Sequence, residues 1–156
     1  MTDSLTTSPT GRDPQTPPAA GAPGAAPPPA VWPTFRARDA RALIAFLVEA
    51  FGFVEVVTHG EGDRVDHAQL AWPPGGGVML GSQREDGARV TEPGRFSCYV
   101  VCDDVDRLFH RAVAAGAEVA SEPFDTDYGS RDVTLLDPEG NAWHFGTYRG
   151  EPRAAS

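Results

Sequence analysis

Few side chains in this 156-residue chain can do chemistry, and most of them stand apart from one another. The nitrogen and sulfur donors are four histidines, His59, His67, His110 and His144, and two cysteines, Cys98 and Cys102. An imidazole exchanges a proton near neutral pH, so each histidine is a candidate acid or base. No paired carboxylate or nucleophile is identifiable beside His144. It therefore reads first as a ligand contact or a structural group, and it is the one residue to which catalysis would fall. His67 lies in an alternating stretch, Val65, His67 and Gln69 against Asp66, Ala68 and Leu70. That alternation puts His67 and Gln69 on one strand face. His59 and His110 read as surface residues. On a single strand Cys98 and Cys102 would be separated by roughly 13 Å, too far to bridge. Reduced thiols imply a cytoplasmic protein.

The elements that position these residues come as a repeat. The segments WPTFRARD (residues 32–39) and SCYVVCDD (residues 97–104) are short and β-prone, and each ends in an aspartate able to cap a helix. ARALIAFLVEAFG follows the first and VDRLFHRAVAAG the second. Val105, Leu108, Phe109, Ala112 and Val113 have the spacing of a one-sided helix. The earlier helix is apolar more nearly all round, through Leu43, Ile44, Phe46, Leu47, Val48 and Phe51, which predicts deeper burial. Both helices stop at a glycine, Gly52 and Gly116, suited to a left-handed C-terminal cap. Residues 53–58 and 117–121 read as the strands that follow. Then residues 65–72 and PPGGGVMLG parallel residues 131–136 and DPEGNAWHF, each a strand, a hairpin and a further strand. A polar, turn-rich linker spans residues 84–94, and residues 121–130 read as a long loop. The chain is thus an α+β protein of two βαβββ modules, residues 31–83 and 95–149, with a short tail over 150–156. Two half-sheets, each backed by a helix, would leave their other sides to form a concave surface.

Composition narrows the function. Residues 1–30 are mostly Pro, Ala, Gly, Ser and Thr, and cannot bury enough surface to order themselves, so they read as a disordered tail. The net charge is −9, with no lysine, which argues against a nucleic-acid partner. No stretch has the length and apolarity of a membrane span. Acidity favours solubility, and it attracts cationic ligands at long range.

The repeat resembles the vicinal-oxygen-chelate superfamily, which includes glyoxalase I, extradiol dioxygenases, methylmalonyl-CoA epimerase and the bleomycin-resistance proteins. Its most specific stretch here is YGSRDVTLLDPEGNAWHF (residues 128–145), similar to the last hairpin of bleomycin-resistance proteins. Arg36-Ala-Arg-Asp39 and the following helix resemble that group's opening. In metal-dependent members, four side chains from the first and last strands of each module hold one divalent ion. Counting equally from Asp39 and Asp104 gives Trp32 and Ser97. Counting equally from Gly76 and Gly140 gives Leu80 and His144. An indole and an isobutyl group cannot ligate, neutral serine is a poor ligand, and one imidazole is not a chelate. The resemblance therefore implies a protein with no metal and no cofactor, closest to the bleomycin-resistance branch, which sequesters drugs between two subunits.

Alternation then assigns faces. With Trp32, Ser97 and His144 in the cup, Thr34, Arg36, Tyr99, Val101, Ala142 and Gly146 share it, while Phe35, Phe96, Cys98, Trp143 and Phe145 pack beneath the helices. Trp32, Trp72, Tyr99, Phe124 and Tyr128 are candidates for an aromatic-lined groove, Trp72 at even odds with the core. Arg131 and Asp132 either pair locally or meet the ligand. The expected function is small-molecule binding by a homodimer, of an antibiotic or another aromatic or cationic ligand. The ligand-binding candidates are Trp32, Thr34, Arg36, His67, Gln69, Leu80, Ser97, Tyr99, Phe124, Tyr128 and His144. The alternative is an enzyme: a metal-dependent lyase, isomerase or dioxygenase using His67, Gln69 and His144, or a metal-free acid–base catalyst.

Overall fold

The structure is a computed structural model that describes residues 28–85 and 92–154. The expected tail, up to residue 27, and the middle of the linker lie outside the described residues. The first module runs β1 (Thr34–Ala37), α1 (Ala40–Phe46), β2 (Val54–His59), β3 (His67–Ala71) and β4 (Gly77–Ser82). The second runs β5 (Ser97–Val101), α2 (Val105–Ala114), β6 (Glu118–Asp125), β7 (Arg131–Leu136) and β8 (Ala142–Gly146). The two sheets have the same order, β1-β4-β3-β2 and β5-β8-β7-β6. In each, the first strand pairs in parallel with the last, and the remaining pairs are antiparallel. The repeated βαβββ architecture is therefore present in full. One expectation needs correction: β6 runs on to Asp125, through register shifts near Ser121, so only the end of the expected loop over 121–130 is a loop.

Local chemistry explains the repeat. Asp39 accepts from the Ala42 amide and Asp104 from the Arg107 amide, each at 3.0 Å, so both aspartates cap their helices. Beyond Phe46 the first helix widens into a π-helical turn, Leu47–Phe51, and Gly52 closes it in the left-handed region at φ 90°. Arg111 of α2 donates to the Glu49 and Val48 carbonyls at 2.7 and 3.0 Å, which satisfies the exposed end of that turn and ties the helices together.

One core joins the modules. Phe35 stacks on Phe96 with centroids 4.2 Å apart, and Phe51 and Phe53 meet Trp143 at 5.6 and 5.4 Å. The first helix and its π turn bury Ala40, Leu43, Ile44, Leu47, Ala50 and Phe51, against Val105, Leu108 and Ala112 of α2. The deeper burial expected of the first helix is thus observed. No helix among the described residues is long and apolar enough to cross a membrane.

Candidate functional site

Each sheet buries one face against the helices and leaves the other open. In the second sheet, Val100, Val133, Leu135, Trp143 and Phe145 form the buried side. Register places Ser97 beside Ala142, Tyr99 beside His144 and Thr134 beside His144 on the open side. Three neighbouring strands thereby bring three polar groups together. His144 Nδ1 lies 2.9 Å from the Thr134 hydroxyl and Nε2 lies 3.1 Å from the Ser97 hydroxyl. Both ring nitrogens are engaged, which fixes the imidazole plane across the face. The sequence placed Ser97 and His144 together, but Thr134 was missed, because its position depends on the β7–β8 register.

Next to this chain is an aromatic group around Asp132. Tyr128 donates to Asp132 Oδ2 at 3.3 Å, and Ser130 donates to Oδ1. Tyr128 meets Tyr148 edge-on at 5.7 Å, and the Tyr99 hydroxyl accepts from the Tyr148 amide at 3.1 Å. Phe124 stands opposite Asp132 on β6. Partial desolvation and then Asp132 raise the Tyr128 phenol above its ordinary pKa. Arg131 and Asp132 do not pair with each other. Arg131 points to the helix side, where it donates to Asp106 at 2.6 and 2.8 Å and to Asp125 at 3.0 Å. Those bonds hold the Asp106 carboxyl below the usual range.

The first sheet presents a different set. Thr34 stands beside Met79, and Met79 beside Gln69; Arg36 stands beside Gly81. His67 is exposed and stacks on His59, with centroids 6.4 Å apart. A small hollow of about 170 Å³ is lined by Thr34, Arg36, His67 and Met79, with Phe35 and Leu80 behind. Trp32 donates its indole N–H to the Pro29 carbonyl at 3.1 Å and lies against Gly77.

Leu80 is misplaced among the site candidates. It is 3% exposed and belongs to the core, and Met79 takes the open-face position that corresponds to His144. The hairpins show why. Gly75 and Gly140 donate equivalent turn bonds, to Trp72 and Asp137, both at 2.9 Å. Gly75, rather than Gly76, is thus the counterpart of Gly140, and counting from Gly76 shifts the position by one residue. Trp72 belongs to the core rim. It packs on Phe53 and Phe145 at 5.0 and 6.0 Å and donates to the Val101 carbonyl at 2.9 Å. Beside it a cleft of about 460 Å³ lies between the first hairpin and β5, with Tyr99 on its wall.

The donor set does not suit the divalent ion held by metal-dependent relatives of such a fold. The four corrected positions carry an indole, a thioether, a hydroxyl and one imidazole already bonded on both nitrogens. Among the described residues no three His, Cys, Asp or Glu side chains gather to hold a metal. The cysteines are free; burial pushes the Cys98 thiol up to about 12, which makes it a poor nucleophile.

A search of curated proteins found no match. Solved structures are similar over nearly three quarters of the chain. TioX from Micromonospora sp. ML1 is 28% identical, with TM-score 0.62, covering 72% of this chain and 93% of that one. TnmS3 from Streptomyces sp. CB03234, an antibiotic binding protein, is 23% identical with TM-score 0.59, covering 72% and 88%. A glyoxalase/bleomycin resistance protein/dioxygenase family enzyme from Burkholderia phytofirmans PsJN is 24% identical with TM-score 0.58, covering 74% and 94%. A family model matches residues 30–145, and with the repeated fold around it the chain belongs to the Glyoxalase/Bleomycin resistance protein/Dioxygenase superfamily.

Proposed function

We propose that this chain is a metal-free, cytoplasmic binding protein that takes up a small organic molecule, an antibiotic or another aromatic or cationic compound, on the open faces of its sheets. One observation carries the reading: the cup positions hold Trp32, Met79, Ser97 and a His144 clamped between two hydroxyls, a lining that suits contact rather than chelation. The open faces add exposed rings, which give a flat ligand a large contact area at low entropic cost. TnmS3, similar in fold, lends support as an antibiotic binding protein. A homodimer is part of the proposal. The edge strands β1 and β5 lie at the ends of their sheets, where a symmetric partner can close each open face. The alternative enzyme reading needs His67, Gln69 and His144 on one ion, but both His144 nitrogens are engaged by Thr134 and Ser97, and His67 stacks on His59.

The test is a fluorescence titration of the full chain with bleomycin and with planar aromatic antibiotics, together with its mass in solution. A saturable change at one ligand per chain in a dimer is expected. No saturation across the panel, or stoichiometric metal retained on purification, overturns the reading.

A further inference from the structure

We propose that the open face of the second sheet is a receptor for an organic cation, an ammonium or guanidinium group seated over Asp132 within a ring of aromatic side chains. This rests on the reading of the open faces as binding surfaces, and names the chemistry that one of them selects.

Asp132 is a half-buried carboxylate, and among the described residues no cation pairs with it. Its partners are hydroxyls, from Ser130 and Tyr128, and it takes part in none of the ion pairs of the described residues. The two nearby guanidiniums are committed elsewhere: Arg131 to Asp106 and Asp125, and Arg149 to Asp103. Gly146 is its neighbour on β8, and the carboxylate lies directly over that bare backbone. A Cβ there would collide with both Asp132 Oδ1 and the Tyr99 hydroxyl, so the bare backbone is what lets those groups converge.

Around this point four rings stay exposed: Tyr99 at 43%, Phe124 at 46%, Tyr128 at 63% and Tyr148 at 39%. A neutral flat ligand would satisfy the rings but would strip water from Asp132 and return nothing to it. A cation satisfies both, through the ring faces and the carboxylate together. The first sheet shows that the feature is not a product of the fold. There the corresponding glycine, Gly81, lies under the Arg36 guanidinium, and His67 stands where Asp132 stands. The net charge of −9 draws cations toward the surface.

The experiment compares choline with its neutral carbon isostere, 3,3-dimethylbutan-1-ol, in amide NMR titrations of the full chain. Choline is expected to shift the Tyr99, Asp132 and Gly146 amides saturably, and to bind at least about fivefold more tightly than the alcohol. Added salt weakens choline but not the alcohol. Asp132→Asn is expected to abolish the preference. Tyr128→Leu, on an exposed ring, reduces it in a protein whose core is untouched, and serves if the first variant does not fold. Equal binding of the two compounds, no saturable shift with choline, or a preference unchanged in both variants overturns the proposal. If the planar antibiotics still saturate the protein in those cases, only the cation assignment falls and the binding reading stands.

Discussion

The two modules share a backbone and differ in what they place on it. Each has the same strand order, an aspartate cap and a C-terminal glycine, and each is braced at the hairpin before its last strand. The two braces are chemically unlike. In the second module Asp137 accepts from the Glu139 and Asn141 amides, the Asn141 side chain and the Trp143 indole, all between 2.9 and 3.0 Å. Asn141 then receives the Phe96 amide at 3.0 Å, and Glu139 receives the Asp39 amide at 2.7 Å. In the first module the same position is Trp72, which offers one hydrogen bond and a ring. The open faces differ in the same way: a linked polar chain with tyrosines on the second sheet, isolated groups on the first. The second module carries the more specified half of both the fold and the site.

That difference is measurable. Asp137→Ala removes one acceptor group and leaves four donors, several of them buried, without partners. Loss of about 3 kcal/mol or more is expected in urea unfolding. Trp72→Phe keeps the ring packing and gives up one bond to Val101, at about 1 kcal/mol. Equal losses at the two sites would erase the asymmetry. The corrected register has its own pair of variants. Leu80→Ala opens the core and is expected to cost about 3 kcal/mol, whereas Met79→Ala on the open face costs about 1 kcal/mol or less. The reverse order would restore Leu80 to the cup.

Signals within one element were legible in the sequence. Asp39, Asp104, Gly52 and Gly116 each act on their own helix, so their roles follow from residue type and place. The DPEGN turn could be quoted, but its use as an acceptor for Trp143 is invisible without the fold. The failures all needed pairing between strands. Gly75, Gly76 and Gly77 run together, so nothing local marks which of them matches Gly140, and one residue of slip moved Leu80 to the wrong face. Thr134 and Tyr148 became site residues only when the strands and the chain after β8 were set side by side, and the same pairing decided between the two readings left open for Asp132. Phe124 falls in the stretch expected to be a loop, yet the irregular end of β6 holds it opposite Asp132.

The smallest predicted effect bears on the feature that most separates the two faces. Met79 in the first sheet has no polar tie, while His144 is held from both sides by Thr134 and Ser97. Thr134→Val keeps the volume and shape of the side chain and removes only the bond to Nδ1. Because His144 is half-buried and water can replace the lost partner, stability should fall by about 1 kcal/mol or less. The informative readout is the imidazole itself, through its ring nitrogen NMR signals. With Nδ1 released, the tautomer balance that Thr134 and Ser97 set between them should shift, and Ser97→Ala should shift it by freeing the opposite nitrogen. If neither variant changes the ring signals, the hydroxyls do not fix His144, and the second face loses its claim to a built polar contact. If both do, His144 is a positioned group, and loss of ligand affinity in these variants at unchanged stability would assign it a direct contact.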